Sequence, residues 1–189
     1  VGRVQQAESA LGKTLLTQAV ARYLFKLMAY KDEYEVARLH TDRSFHDKVG
    51  AMFEGDFKLN YHLAPPMIAK TNDKGELQKQ KFGPWMLSAF KLLARLKGLR
   101  GTALDPFGRT EERKMERALI AQYEGSIDEI LKNLNEDNLA AAVEVARIPE
   151  LIKGYGHVKA RHVGLAQQQW TLALAAFRQA AQGKQQLAA

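Results

Sequence analysis

Leu16, Val20, Tyr23, Leu27, Tyr30, Tyr34 and Ala37 recur at spacings of three and four, the period that lines up one apolar stripe on a helix. Asp32-Glu33-Tyr34-Glu35 has the form of a capping box, so the stripe is expected to divide into two helices near Lys31. Ser44 to Phe53 reads as a further short helical turn. The texture then changes. Phe57, Leu59, Tyr61 and Leu63 alternate with Lys58, Asn60 and His62, the two-residue period of a strand with one buried face. Pro65-Pro66 stops it, Asn72-Asp73-Lys74-Gly75 signals a turn, and Leu77 to Phe82 reads as the returning strand. A lone hairpin is marginal in water, so helices are expected to cover its apolar face.

Helix resumes at Pro84, whose ring suits a first helical position, with Met86, Ala89, Phe90, Leu93 and Leu96 expected to face inward. Gly98 and Gly101 end it, Asp105-Pro106-Phe107-Gly108 is a turn, and Thr110-Glu111-Glu112 opens the next helix. Ser126-Ile127-Asp128-Glu129 predicts another start, with Ile127, Ile130, Leu131 and Leu134 inward. Leu139, Ala142, Val143 and Ala146 mark a further helix. A last one runs from about His157, after Pro149 and Gly154-Tyr155-Gly156, with Trp170, Ala173, Leu174 and Phe177 on one side. The polar tail from Gly183 is expected to fray. There is no internal repeat. The expected fold is mainly α, a helical domain with one small β-hairpin excursion. Strand and helix do not alternate as a nucleotide-binding α/β sheet requires.

That last point decides the one motif with a named chemistry. Ala7-Glu8-Ser9-Ala10-Leu11-Gly12-Lys13-Thr14 matches a relaxed phosphate loop with Ala in place of the first Gly. Such a loop needs a buried strand before it and glycines that let backbone amides wrap the phosphates. Val4-Gln5-Gln6 forms no strand, and no later apolar strand ends in an Asp for magnesium. The Gly12-Lys13-Thr14 segment is therefore expected to be helical and not to bind nucleotide. The histidines, His40, His46, His62, His157 and His162, include no pair at the i, i+4 spacing of two ligands on one helical face. Glu111 and Glu112 suit the positive end of a helix, which accounts for them without catalysis. No catalytic, cofactor-binding or metal-ligating residue is assigned.

Composition narrows the class. Of 189 residues, 46% are hydrophobic and 26% charged, the balance of a globular chain able to bury a core. The absence of cysteine removes disulfides, thiolate zinc, iron–sulfur clusters and a thiol nucleophile. No apolar run approaches the ~18–20 residues of a membrane helix, and the chain reads as cytoplasmic. It starts at Val1 without a methionine, which suggests a piece of a longer or processed chain. The net charge of +7 is uneven: Leu151 to Ala189 holds five basic and no acidic residues, and Lys91 to Arg117 eight basic against four acidic. Positive regions of this kind steer acidic partners, or they are a solvated face that serves solubility. Within the first reading, Arg95, Arg100 and Arg113 are the candidate partner-docking residues.

Four stretches carry a resemblance: Leu24 to Leu39, Phe82-Gly83-Pro84-Trp85-Met86, Asp105 to Arg113, and Ile152-Lys153-Gly154-Tyr155-Gly156-His157-Val158-Lys159. In this order, over roughly residues 15–165, they resemble the carboxy-terminal region of the fused, single-chain indolepyruvate ferredoxin oxidoreductases. That family oxidatively decarboxylates aryl-2-oxoacids to acyl-CoA with thiamine diphosphate, coenzyme A and iron–sulfur centres, and passes electrons to ferredoxin. Its Gly-Asp-Gly thiamine motif and cluster cysteines are not in this sequence, so the resemblance transfers no catalytic residue. It implies a non-catalytic accessory domain, inactive alone, whose partners are the other domains of a parent oxidoreductase and, as a candidate, ferredoxin. Residues 1–40 then read as a helical segment ending a preceding domain, and 41–189 as a mostly helical carboxy-terminal domain. The competing reading is a freestanding basic, helical nucleic-acid-binding module. It lacks a recognition-helix pattern or a basic strip interleaved with aromatics, which makes nucleic acid the weaker partner.

Overall fold

The computed structural model describes residues 1–64 and 78–182. In chain order the elements are helices α1 (Gly2–Ser9), α2 (Leu15–Met28), α3 (Glu33–Thr41) and α4 (Arg43–Gly50), strands β1 (Tyr61–Leu63) and β2 (Gln80–Phe82), and helices α5 (Met86–Arg95), α6 (Glu111–Asn133), α7 (Leu139–Arg147) and α8 (Gly156–Gln182). Single 3₁₀ turns follow α5, at Leu96–Leu99, and α7, at Ile148–Leu151. Among the described residues the fold is mainly α with one antiparallel hairpin, as the periodicity predicts. The proposed turn at Asn72–Gly75, Pro65-Pro66 and the tail from Gly183 lie outside the described residues.

The chain forms two compact units, Val1–Tyr30 with Lys114–Ala189, and Lys31–Arg113. The sequence suggested a division at residue 40. Instead α1 and α2 share a unit with the carboxy-terminal helices, while α3 belongs to the other.

In the first unit the stripe of α2 (Leu16, Val20, Tyr23 and Leu27) joins Tyr123, Ile127 and Ile130 of α6, Ala142 and Val145 of α7, and Trp170 and Phe177 of α8 in one core. Burying each large side chain contributes about 1.5–3 kcal/mol, enough for this unit to have its own core. The expected helix start at Ser126 is not one, because α6 runs through it unbroken. Inside a helix a serine can bond back to the carbonyl four residues earlier, and Ser126 Oγ donates to Gln122 O at 2.9 Å. The same oxygen accepts from Trp170 Nε1 at 3.0 Å, which gives the buried indole its polar partner.

The phosphate-loop-like segment is used locally. Contrary to expectation, Gly12-Lys13-Thr14 is not helical: a turn ends at Gly12, at φ 66°, and Thr14 takes the cap position of α2. The turn folds the Glu8 carboxylate over the start of α2. There it accepts from Leu16 N, Thr17 N and Thr17 Oγ, each at 2.7 Å. Glu8 is fully buried, so a residue of the apparent motif acts as a helix cap.

In the second unit the predicted break near Lys31 is real. Asp32 caps α3 by accepting from Glu35 N at 2.8 Å. The strand expected over Phe57–Leu63 shortens to Tyr61–Leu63, since among the described residues its partner is Gln80–Phe82, in the register Tyr61↔Phe82 to Leu63↔Gln80. Tyr61, Met86, Phe90 and Ala37 form the small core beneath. His40 stacks on Phe90 at 4.9 Å and meets the Tyr61 ring edge-on at 5.3 Å. Of the residues expected to face inward on α5, Met86 and Phe90 are buried and Leu93 is half-buried, while Ala89 and Leu96 are exposed. The buried face is rotated towards Met86 and Phe90.

Candidate functional site

The loop from Gly101 to Thr110 is organised by one carboxylate. Asp105, 4% exposed, accepts from Gly101 N at 2.8 Å, Phe107 N at 3.1 Å and the Tyr34 hydroxyl at 3.2 Å. Burial alone would raise its pKa, but these donors outweigh burial and hold the carboxyl below the ordinary value. The partner responds in the opposite sense: burial, and then the Asp105 charge, push the Tyr34 hydroxyl up to about 12. Phe107 meets the Tyr34 ring edge-on at 5.5 Å. Gly108 passes so close that a Cβ there would sit 2.6 Å from Asp105 Oδ2. Any side chain at 108 would displace the carboxylate.

A second polar group surrounds the start of α3. Arg100 makes a two-point contact with Asp32, at 2.5 and 2.8 Å. Arg113 donates to Lys31 O at 3.3 Å and approaches Glu33 Oε1 at 3.5 Å. The other Glu33 oxygen, Oε2, is buried with no hydrogen-bond partner among the described residues. Next to this group lies a hollow of about 360 Å³. Val36, Leu63, Met86, Phe90, Leu93 and Phe107 line its apolar wall, and Lys31, Asp32, Glu33 and Arg113 its polar one.

The three candidate docking arginines share this unit but not an environment. Arg95 is exposed in the last turn of α5. Arg100 is tied to Asp32. Arg113 is only 8% exposed, which corrects its reading as a surface cation: its guanidinium serves the α3 start. Sequence spacing could not show this, because Arg113 and Glu33 are 80 positions apart. Sequence reasoning also missed the outer face of α5, where Trp85, Leu92 and Leu96 are exposed. The signal was available, since Trp85, Ala89, Leu92 and Leu96 recur at spacings of four and three.

The first unit has a larger, open depression of about 770 Å³ lined by Glu144, Arg147, Glu150, Lys153 and His162, among others. Several of its polar groups are already engaged: Tyr23 donates to Glu150 at 2.6 Å, Arg147 pairs with Glu150, and His162 Nδ1 lies 2.8 Å from Lys153 O. Among the described residues no group of three or more His, Cys, Asp or Glu is placed to hold a metal, and no helix is long and apolar enough to cross a membrane.

Comparison with curated proteins and with solved structures finds no match. A family model does match, over residues 1–172, which takes in both polar groups, the hollow and the α5 face. The chain therefore belongs to DUF6537, a family of unknown function.

Proposed function

We propose that this chain is a non-catalytic accessory domain of a fused indolepyruvate ferredoxin oxidoreductase, an enzyme that oxidatively decarboxylates aryl-2-oxoacids to acyl-CoA and reduces ferredoxin. The supporting observation is how the residues in the family-like runs are used. Asp32, Tyr34, Asp105, Phe107 and Arg113 bond to one another and to the backbone of their own unit. Residues engaged in this way shape a scaffold, whereas catalytic groups face a reacting atom. Thiamine diphosphate, iron–sulfur centres and the coenzyme A site belong to other domains of the parent. The basic segments contribute long-range attraction for acidic ferredoxin.

The parent reading is tested by extending the open reading frame. It should continue upstream into thiamine- and cysteine-bearing domains, and a frame that does not would remove the parent. The accessory role has a separate test, in which the isolated chain binds no thiamine diphosphate in calorimetry and does not turn over indolepyruvate. Turnover by the chain alone would refute it. In the full-length enzyme, Arg95→Glu should slow ferredoxin reduction at low salt and leave a small neutral dye unaffected. The attraction is screened over ~8 Å at physiological ionic strength, so the deficit should shrink as salt rises.

A further inference from the structure

The outer face of α5 joins three features that rarely coincide on a solvated helix. Trp85, at the amino-terminal cap, and Leu92 are 63% and 61% exposed, and Leu96, just past the carboxy-terminal end, is 41% exposed. Spacings of seven and four put them in one line with Ala89 between. Lys91 and Arg95 flank this line one position away, and Lys97 follows it. Between Lys79 and Leu104 the sequence holds six basic residues (Lys79, Lys81, Lys91, Arg95, Lys97 and Arg100) and no acidic one. Lys91, Arg95 and Lys97 form no ion pair among the described residues. Exposed Ala89 also lines the 360 Å³ hollow, so the apolar line opens directly into a concave apolar space.

We infer that this face is a docking groove for an acidic amphipathic segment of a partner protein, which inserts a large apolar anchor side chain into the hollow. Other occupants fit less well. A two-fold dimer places a patch against its own copy, which would oppose Lys91 and Arg95 to the same cations. A flat anionic membrane would satisfy the charges but cannot fill a concavity. A peptide helix carries both complements, apolar anchors at i, i+3 or i+4 and acidic flanks, and helix-in-groove recognition works in this way. The hollow has the size of ordinary ligand pockets, and a buried anchor ringed by weaker contacts is the usual energetic centre of such an interface. This inference does not depend on the oxidoreductase reading.

The test uses the 189-residue chain and a displayed library of 16-residue peptides, followed by fluorescence anisotropy with labelled peptides from the selection. Enriched peptides should be rich in Asp and Glu and carry Leu, Phe or Trp at helical spacing. Their binding should fall roughly tenfold or more in Trp85→Ala/Leu92→Ser, and similarly at low salt in Lys91→Glu/Arg95→Glu. All four positions are exposed, so both variants should keep the wild-type circular dichroism and melting temperature. Unaltered binding in these variants would overturn the inference. So would enrichment of non-acidic peptides, no enrichment at all, or a dimer seen by sedimentation that the same substitutions abolish. Vesicles of phosphatidylserine and phosphatidylcholine should not bind the chain through α5, and loss of vesicle binding in the Trp85→Ala/Leu92→Ser variant would overturn it in favour of a lipid surface.

Discussion

Replacing Glu8 with alanine removes the acceptor for two backbone amides and one hydroxyl at the start of α2, all at 2.7 Å. Bonds to an ionised group contribute about 1.5–3 kcal/mol each, and a buried amide left without a partner costs about 1–3 kcal/mol. The contributions overlap, since water reaches the half-buried Thr17 end, but the full burial of Glu8 puts the total above the roughly 0.5–2 kcal/mol of an ordinary helix cap. A net loss of about 3–4 kcal/mol is expected. At about 2–4 °C per kcal/mol for a chain of this size, the first unit should melt roughly 6–16 °C lower. Glu8→Gln keeps the shape and one acceptor oxygen but turns an N–H towards another donor, so it should lose about 1–2 kcal/mol. Urea unfolding can be followed by the fluorescence of Trp170, in the core of this unit, in a Trp85→Phe background that leaves one emitter. Lys13→Ala is the control, since an exposed side chain should stay within about 0.5 kcal/mol of wild type. If Glu8→Ala lies within 1 kcal/mol of wild type, or Lys13→Ala costs as much, Glu8 is not the cap. Saturable ATP binding lost in Lys13→Ala would instead restore the phosphate-loop reading.

Two further outcomes follow from local geometry. Burial, with the nearby His46 charge, holds the His40 imidazole below its ordinary 6.5, so as pH falls through about 6.5 the unfolded chain takes a proton that the folded chain refuses. Stability of the second unit should therefore decline from pH 7.5 to 5.5, read from the Trp85 signal, and His40→Phe should flatten that decline; an unchanged slope would show that His40 does not cause it. Gly154 has φ +84°, and a Cβ there would lie 2.8 Å from Val158 Cγ1. Gly154→Ala should cost about 2 kcal/mol, of which about 1 kcal/mol of backbone strain should persist when Val158→Ala removes the clash; a full rescue would mean that the backbone conformation carries no strain.

The helices were legible because they depend on short-range rules. The stripe of α2, the Asp32 cap and the helix start at Thr110 need only residues within four positions of one another, and each is found where the pattern puts it. Ser126 has the same local signature, yet α6 continues through it. The cap was outcompeted by the back-bond to Gln122 and by the Trp170 indole, 44 positions away. The strand shortened for a related reason: alternation marks a face, but the ladder extends only as far as its partner. Charge was the least legible property. Composition counts Arg95, Arg100 and Arg113 alike, and only the folded chain separates an exposed cation from one bonded to Asp32 and one buried beside Glu33. Sequence by itself thus determined the helical class, several helix starts and the basic segments, all set by local periodicity and composition. Tertiary structure alone decided which polar groups are used up in holding loops and helix starts, because burial and pairing depend on which distant residues the fold brings together.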